Sequence, residues 1–369
     1  MKNLLDRIPA YVRAFECYVP SRPDPVLMRQ YGVSHLYRLN NNENALGPPP
    51  LAREALAALE SGRTAQYPSG DSYSLRLALA ARFNKSPEQF LVGNGSTEII
   101  AAAIKSLCER GDAIVTADQT FAVYEWVGRF SGLDVILVPL RDHALDPAAL
   151  RAAVTERTKI VFLCNPNNPT GAWWDRETLE AFLESLPGDV AVVIDEAYRE
   201  FVEDPRFPDG MEVMERHPNV LVFRTFSKMY GLAGLRVGYL CGAQELVDMV
   251  RRCHVVYSTN VMGQVAAEAA LADDAGHIAA TRALVAEAKD FLRGVFDSLG
   301  MEHIGGAGNF IMVRIPVSDT LMYRQLMRHG VMVRTMTNFR FPNWIRISLA
   351  KGEAMEAFAR AFRSSLELK

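Results

Sequence analysis

The feature that most constrains the fold is a regular alternation between helical patterns and short runs of consecutive apolar residues. Helical patterns such as STEIIAAAIKSLCER and RETLEAFLESL are separated by β-branched runs such as KIVFLCN, AVVIDEA and VLVFRTF. These runs are apolar at successive positions rather than alternate ones, which indicates strands that are covered by helices on both faces. The sequence therefore predicts an α/β protein with a mostly parallel, doubly wound central sheet.

The pattern changes toward the carboxyl end of the chain. A long helical pattern, HIAATRALVAEAKDFLRGVFDSLG, leads to the strand patterns FIMVRI, VMVRT and WIRISLA. The first residues are rich in proline and asparagine, which breaks any long periodic pattern. We expect an N-terminal arm over residues 1–44 that packs with the small domain, a large domain over 45–269, and a small α+β domain over 270–369.

The composition excludes several classes of partner. The formal net charge of −3 leaves no broad basic surface, so neither nucleic acid nor an anionic membrane is an expected partner. No apolar run approaches the ~20 residues of a membrane span, and the first residues lack the pattern of a signal peptide. The 5 cysteines are scattered and the 7 histidines show no close pairing. We expect a cytoplasmic protein with no disulfide framework and no metal site.

A glycine-rich turn precedes one of the predicted helices. In FLVGNGSTEII, Gly95, Ser96 and Thr97 lie between a short apolar strand and the helix. Backbone amides at a helix N-terminus attract an anion, so this turn is a candidate phosphate site. A dinucleotide-binding turn would need a further glycine where Glu98 stands. That departure argues against an NAD-dependent dehydrogenase.

Further polar residues follow the predicted central strands. Asp195 comes after four apolar residues in AVVIDEAYREF, so its carboxylate should lie at the buried end of a strand and need a cationic partner. Tyr198 follows three residues later, and Asn168 lies in the turn NPNNPTG after another strand. In open α/β sheets, ligands bind at the carboxyl ends of the strands. We expect these three side chains to face one ligand.

The segment FRTFSKMYGLAGLRVGYL contains a lysine between two apolar strands. Thr225, Ser227 and Arg236 can form an anion cup from two hydroxyl groups and a guanidinium group, with the next strand starting at Arg236. Lys228 lies among them, where cationic and apolar neighbours would lower its pKa. A neutral amine is the form that condenses with a carbonyl group.

These residues together specify one ligand with a phosphate, an aldehyde and a protonated ring nitrogen. The helix turn and Arg236 suit the phosphate, Lys228 the aldehyde, and Asp195 the ring nitrogen. Asn168 and Tyr198 would hydrogen-bond the phenolic oxygen of the ring. The sequence therefore predicts pyridoxal 5′-phosphate as the cofactor.

The order of motifs also resembles a known family. GNGSTE, NPNNPTG, IDEAYREF and TFSKMYGLAGLRVGY are similar to the motifs of fold-type I pyridoxal-phosphate aminotransferases. YVPSRP, LNNNENALGPPP and QYPSG in the first part of the chain resemble the histidinol-phosphate aminotransferase group in particular. The resemblance implies a homodimer with active sites at the subunit interface, to which the arm contributes.

The resemblance also implies roles for individual residues. Lys228 would bond covalently to the cofactor and move the proton at the substrate α-carbon, with Asp195 and Tyr198 as the other catalytic residues. Phe121 would stack on the cofactor ring, and Tyr67 would reach the phosphate from the other subunit. The implied phosphate cup consists of Gly95, Ser96, Thr97, Thr225, Ser227 and Arg236. The implied substrate-binding residues are Tyr18, Asn42, Arg334 and Arg346.

Some positions depart from the pattern of the group. Gln119-Thr120-Phe121 replaces P-T-Y, so the stacking ring lacks a hydroxyl group, although stacking needs only the ring face. Ala45 replaces the proline of S-N-E-N-P, and Val256-Tyr257 replaces P-Y. The resemblance implies that these changes affect the substrate-facing loops more than the phosphate cup of the cofactor.

The predicted reaction is a ping-pong transamination between a small amino donor and a 2-oxo acid. The resemblance implies histidinol phosphate and 2-oxoglutarate as substrates, with imidazole acetol phosphate and glutamate as products, in histidine biosynthesis. An aromatic or other amino-acid aminotransferase of a specialised pathway is an alternative, as is a decarboxylase of the same fold. A pyridoxal-phosphate-binding regulator would carry a DNA-binding segment, and the sequence shows no basic patch.

Overall fold

The computed structural model describes residues 3–15, 22–272 and 274–367. Tyr18, predicted to bind substrate, lies outside the described residues, as does Cys17. The strands are β1 (Tyr37–Leu39), β2 (Phe90–Gly93), β3 (Ala113–Ala117), β4 (Asp134–Val138), β5 (Thr158–Cys164), β6 (Ala191–Asp195), β7 (Val220–Thr225), β8 (Gly238–Gly242), β9 (His303–Ile304), β10 (Phe310–Arg314), β11 (Val331–Thr335) and β12 (Trp344–Ser348).

The helices enclose the strands. They are α1 (Ala10–Arg13), α2 (Asp24–Tyr31), α3 (Pro50–Ala57), α4 (Tyr73–Phe83), α5 (Ser96–Leu107), α6 (Val123–Phe130), α7 (Pro147–Ala153), α8 (Arg176–Ser185), α9 (Gly210–Val213), α10 (Gln244–Cys253), α11 (Val261–Ala272), α12 (Asp274–Ser298), α13 (Asp319–Arg328) and α14 (Gly352–Glu367). Several begin at a capping side chain, because the first amides of a helix lack partners within it. Asp146, Asp175 and Ser318 accept hydrogen bonds from the first turns of α7, α8 and α13.

The large sheet has seven strands in the order β2-β8-β7-β6-β5-β3-β4. Strand β8 runs antiparallel to both β2 and β7, and the other neighbouring strands are parallel. In β6, Val192 and Ile194 pack into one core while Val193 packs into another. Both faces of the strand are therefore buried, as the run of consecutive apolar residues predicts. The predicted fold class, a mostly parallel α/β sheet beside a smaller α+β unit, is confirmed.

The second sheet has five strands in the order β1-β11-β12-β10-β9. Its core includes Leu292 and Phe296 of α12 and Phe358 and Phe362 of α14. Strand β1 comes from the N-terminal segment and pairs in parallel with β11. The N-terminal segment therefore packs on this smaller sheet, while the predicted boundaries of the three parts stay predictions.

The described residues were compared with the requirements for a membrane span, for disulfide bonds and for a metal site. No helix in the described part of the chain combines the length and the apolarity needed to cross a membrane. Cys108, Cys164, Cys241 and Cys253 are free thiols. Among the same residues, no three side chains of histidine, cysteine, aspartate or glutamate are grouped so that they could hold a metal ion.

Candidate active site

A cavity of about 440 Å³ lies at the carboxyl ends of the central strands and reaches the smaller sheet. Most of the predicted site residues line it together. Two exceptions among the described residues are Gly95, which lies behind Arg236, and Tyr67, whose side chain is exposed outside this cavity. The lining residues that were predicted are Asn42, Ser96, Thr97, Phe121, Asn168, Asp195, Tyr198, Thr225, Ser227, Lys228, Arg236, Arg334 and Arg346.

One end of the cavity can hold an anion. Ser96 and Thr97 begin helix α5, whose N-terminal amides and dipole favour negative charge. Gly95 precedes them with a φ of 77°, and a Cβ atom there would lie 2.4 Å from Nη2 of Arg236. Glycine thus allows the guanidinium group to lie against the helix N-terminus.

Arg236 is held in position by its own turn. The strand predicted to start at Arg236 starts at Gly238 instead, because Arg236 adopts a left-handed conformation with a φ of 58°. Its Nη1 donates to the carbonyl oxygen of Ala233 at 3.1 Å. Thr225, at the end of β7, accepts a hydrogen bond from the backbone amide of Ser227 at 3.1 Å. The hydroxyl groups and the guanidinium group line the same cavity as the first residues of α5.

Lys228 follows β7 and points into the middle of the cavity. Its Nζ donates to the carbonyl oxygen of Asn41 at 2.8 Å. Burial lowers the pKa of Lys228 to about 7, and the positive charge of Arg346 contributes to the same shift. Near neutral pH, a large fraction of this amine is therefore uncharged and nucleophilic.

Asp195 ends β6 on the floor of the cavity and is almost fully buried. Its Oδ1 accepts from the amide of Ala197 at 3.1 Å, and its Oδ2 accepts from the Tyr124 hydroxyl at 2.6 Å. Burial raises the pKa of this carboxyl group. No lysine, arginine or histidine among the described residues forms an ion pair with it, and a cationic ring nitrogen of a bound ligand would be the partner predicted for Asp195.

Amide groups connect the centre of the cavity to the smaller sheet. Asn42 donates through Nδ2 to the Tyr198 hydroxyl at 2.9 Å. The backbone amide of Asn42 donates to Oγ of Ser348 on β12 at 2.8 Å. Asn168 accepts a hydrogen bond from Nη1 of Arg346 at 2.5 Å. Side chains from both sheets therefore meet around the same space.

Two arginines face each other at the other end of the cavity. Arg334 on β11 and Arg346 on β12 are direct partners in the antiparallel register. Like charges directly opposite each other destabilise a sheet, and an anion between them would pair with both. Burial and the charge of Arg334 lower the pKa of Arg346 to about 10. The buried Nε of Arg346 also has no hydrogen-bond partner.

Several residues that line or support the cavity were missed by sequence reasoning. Tyr124 hydrogen-bonds Asp195, while Trp126 and Phe339 contribute aromatic walls. The ring centroid of Phe339 lies 5.5 Å from Cζ of Arg334 and 5.9 Å from Cζ of Arg346. A helical pattern contains Tyr124 and Trp126, and aromatic residues in such a pattern usually indicate core packing. No sequence signal distinguished them.

The residues present fit pyridoxal phosphate at three separate points. Among the described residues no cation pairs with the buried Asp195, and a protonated pyridine nitrogen would supply one. The close approach of Gly95 and Arg236 forms a cradle for a phosphate, and Lys228 offers an amine with a lowered pKa between the two. The α/β fold and these groups together define a pyridoxal-phosphate-dependent enzyme of fold type I.

Comparisons with known proteins agree with this class. The family described as Aminotransferase class I and II matches residues 34–362. A histidinol-phosphate aminotransferase of Moorella thermoacetica is 41% identical over 350 residues, which cover 95% of this chain and 90% of that protein. The corresponding enzyme of an Anaeromyxobacter species is 40% identical over 348 residues, which cover 93% of this chain and 94% of that protein.

A solved structure agrees as well. The histidinol-phosphate aminotransferase of Sinorhizobium meliloti, in complex with pyridoxal 5′-phosphate, superposes with a TM-score of 0.88 at 28% identity, and covers 98% of each chain. The chain therefore belongs to the class I and II aminotransferases and, within them, to the histidinol-phosphate aminotransferase group. The predicted family, enzyme class and cofactor are confirmed.

Proposed function

We propose that the protein transfers an amino group from histidinol phosphate to 2-oxoglutarate, giving imidazole acetol phosphate and glutamate, as a step of histidine biosynthesis. The pair formed by Arg334 and Arg346 is the observation on which this proposal rests. Two guanidinium groups held opposite each other suit a phosphate or a carboxylate. One site can then bind the phosphate of the donor and a carboxylate of the acceptor in turn. The names of the relatives support the same choice.

The residues of the cavity have separate tasks in this reaction. When bound, pyridoxal phosphate supplies an aldehyde that takes up the amino group and a ring that accepts electrons from the substrate α-carbon. Lys228 holds the cofactor and then moves the proton that leaves the α-carbon, which requires its neutral form. Asp195 would balance the charge on the ring nitrogen, and Tyr198 and Asn168 would hydrogen-bond the phenolic oxygen.

The remaining assignments concern binding. Ser96, Thr97, Thr225, Ser227 and Arg236 hold the cofactor phosphate, with Gly95 allowing their approach. Phe121 covers the ring face. The substrate is oriented by Asn42, Arg334 and Arg346. The aromatic walls formed by Trp126 and Phe339 exclude water from the side chain of the substrate.

A half-reaction experiment tests the substrate assignment. The purified protein, loaded with cofactor, is mixed with histidinol phosphate, glutamate or phenylalanine, and absorbance follows conversion of the cofactor to its amine form. We expect rapid conversion with histidinol phosphate and glutamate. Trp126 and Phe339 would also accept a phenyl ring, which favours an aromatic amino-acid aminotransferase as the second candidate. A higher kcat/KM for phenylalanine would establish that candidate, and release of carbon dioxide without the amine form would indicate a decarboxylase.

We also propose a cytoplasmic homodimer in which Tyr67 completes the active site of the other subunit. Its side chain is 83% exposed and packs beside Tyr257, with the ring centroids 5.0 Å apart. Val255 and Val256 are exposed nearby, and such an apolar surface suits a subunit interface. Co-expression of the Tyr67→Ala and Lys228→Ala variants tests this arrangement. Mixed dimers should regain part of the activity, whereas inactivity despite confirmed mixed dimers would contradict shared sites.

A further inference from the structure

Tyr124 is a buried polar side chain to which the proposed reaction gives no role. It lies on α6, three residues after Phe121, and its side chain is inaccessible to solvent. Its hydroxyl donates to Oδ2 of Asp195 at 2.6 Å. Tyr124 is not among the residues that line the cavity, so its hydroxyl contacts Asp195 from within the packed core.

The ring of Tyr124 is fixed by aromatic neighbours. It stacks on Phe162 of β5 with the centroids 4.8 Å apart and an interplanar angle of 13°. It meets the ring of Phe121 edge to face, with the centroids 5.5 Å apart. A ring held on two sides cannot swing its hydroxyl away from Asp195 without repacking the core. The direction of the hydrogen bond is therefore set by packing.

The hydrogen bond acts on the charge of Asp195. Burial and the neighbouring carboxylate raise the pKa of Tyr124 well above its ordinary value, so the phenol keeps its proton and remains a donor. Burial alone favours the neutral form of Asp195, whereas hydrogen bonds from Tyr124 and the Ala197 amide favour the carboxylate. Each donor occupies a different oxygen, which also fixes the plane of the carboxylate.

We propose that Tyr124 is a positioning residue that keeps Asp195 anionic and oriented, so that Asp195 can hold a proton on the nitrogen of the bound cofactor ring. The inference deepens the proposed function and rests on its assignment of Asp195 to that nitrogen. Without the phenol, the carboxylate becomes more basic and draws the proton away from the ring. A ring with a neutral nitrogen accepts electrons less well, so proton removal from the substrate slows.

The test uses the cofactor-loaded Tyr124→Phe variant, which keeps the aromatic ring and removes only the hydroxyl. With 15N-labelled pyridoxal phosphate, we expect the ring-nitrogen chemical shift to move toward that of unprotonated pyridine. We expect kcat to fall about tenfold to a hundredfold, as for loss of a hydrogen bond to a charged group, with little change in KM. The matched control is Tyr323→Phe, which removes a hydroxyl from helix α13 beside the smaller sheet. This variant should change neither the nitrogen shift nor kcat.

A double-mutant cycle separates positioning from a general effect on folding. If Tyr124 acts through the carboxylate, removing its hydroxyl should have little further effect on kcat in the Asp195→Asn background. Equal losses in both backgrounds, or an unchanged nitrogen shift in Tyr124→Phe, would overturn the proposal. Cofactor content and thermal unfolding of each variant verify folding. The nitrogen shift is measured without substrate, so a different amino donor would leave this test intact.

Discussion

Arg346 on the smaller sheet and Asn168 after a strand of the large sheet are joined by a hydrogen bond of 2.5 Å. The guanidinium group also donates through Nη2 to the carbonyl oxygen of Asn40 at 3.0 Å. The group that would bind a substrate anion is thus tied to Asn168, the amide proposed to face the cofactor, and to the N-terminal segment. The Arg346 side chain would therefore both bind the substrate anion at one end of the cavity and orient Asn168 at its centre.

Replacing Arg346 by lysine should lower kcat/KM for both substrates by about tenfold to a hundredfold. Lysine keeps the charge but has a single nitrogen, whereas Arg346 reaches Asn168 through Nη1 and Asn40 through Nη2 of its planar fork. Steady-state kinetics with donor and acceptor measure the effect. Arg314→Lys is the control, since Arg314 lies on the same sheet and pairs with Glu302 at the surface. Equal kinetics for the two variants would contradict a substrate role for Arg346.

Replacing Lys228 by alanine should abolish turnover while leaving the cofactor bound without a covalent bond. The reason is that the described cavity lining contains no second lysine that could take its place. Borohydride reduction followed by peptide mapping should tag Lys228 in the unaltered protein. Lys289→Ala is a suitable control, because burial lowers the pKa of Lys289 to about 8 but its amine bonds Gly306 outside this cavity. Transamination by Lys228→Ala would rule out the assigned role.

The covalent attachment of pyridoxal phosphate to the apoprotein should depend on pH through Lys228. Its pKa is lowered to about 7, so the neutral amine increases as the pH rises toward that value. The rate should rise about tenfold per pH unit well below 7 and level off above about 8. Stopped-flow absorbance after mixing apoprotein and cofactor measures it. A rate that still rises tenfold per unit near pH 9 would mean that the lysine is not perturbed.

Gly95→Ala should weaken cofactor binding by about tenfold or more. The added Cβ would lie 2.4 Å from Nη2 of Arg236, and the φ of 77° is unfavourable for alanine. Equilibrium titration of the apoprotein with pyridoxal phosphate gives the dissociation constant. Gly294→Ala is the control because a Cβ there meets nothing within 4 Å and the residue lies in helix α12. That control should retain affinity and gain about 0.5–1 kcal/mol of stability.

Much of the cofactor end of the site could be predicted because it follows from strand topology. The carboxyl ends of parallel strands meet at one edge, so polar residues after β5, β6 and β7 had to converge. Asn168, Asp195 and Lys228 are separated by many residues in the sequence, yet each lies at or just beyond the carboxyl end of such a strand. The run of apolar residues before each of them was the visible signal.

Other contacts could not be predicted, because they depend on packing between elements. The register that sets Arg334 against Arg346 depends on the length and path of the turn between β11 and β12. Tyr124 has the position of an ordinary core residue on α6, and only the packing of that helix against β5 and β6 brings its hydroxyl to Asp195. Arg236 was assigned to a strand because its left-handed turn has no glycine to mark it.

The opposition of Arg334 and Arg346 has a consequence for the thermal stability of the protein. Mutual repulsion works against the pairing of β11 with β12 until a negatively charged molecule bridges the two side chains. Any such molecule binds the native state in preference to the unfolded chain and thereby raises the melting temperature. A small anion that pairs with both guanidinium groups would therefore protect the folded protein against heat, to a degree that increases with its concentration.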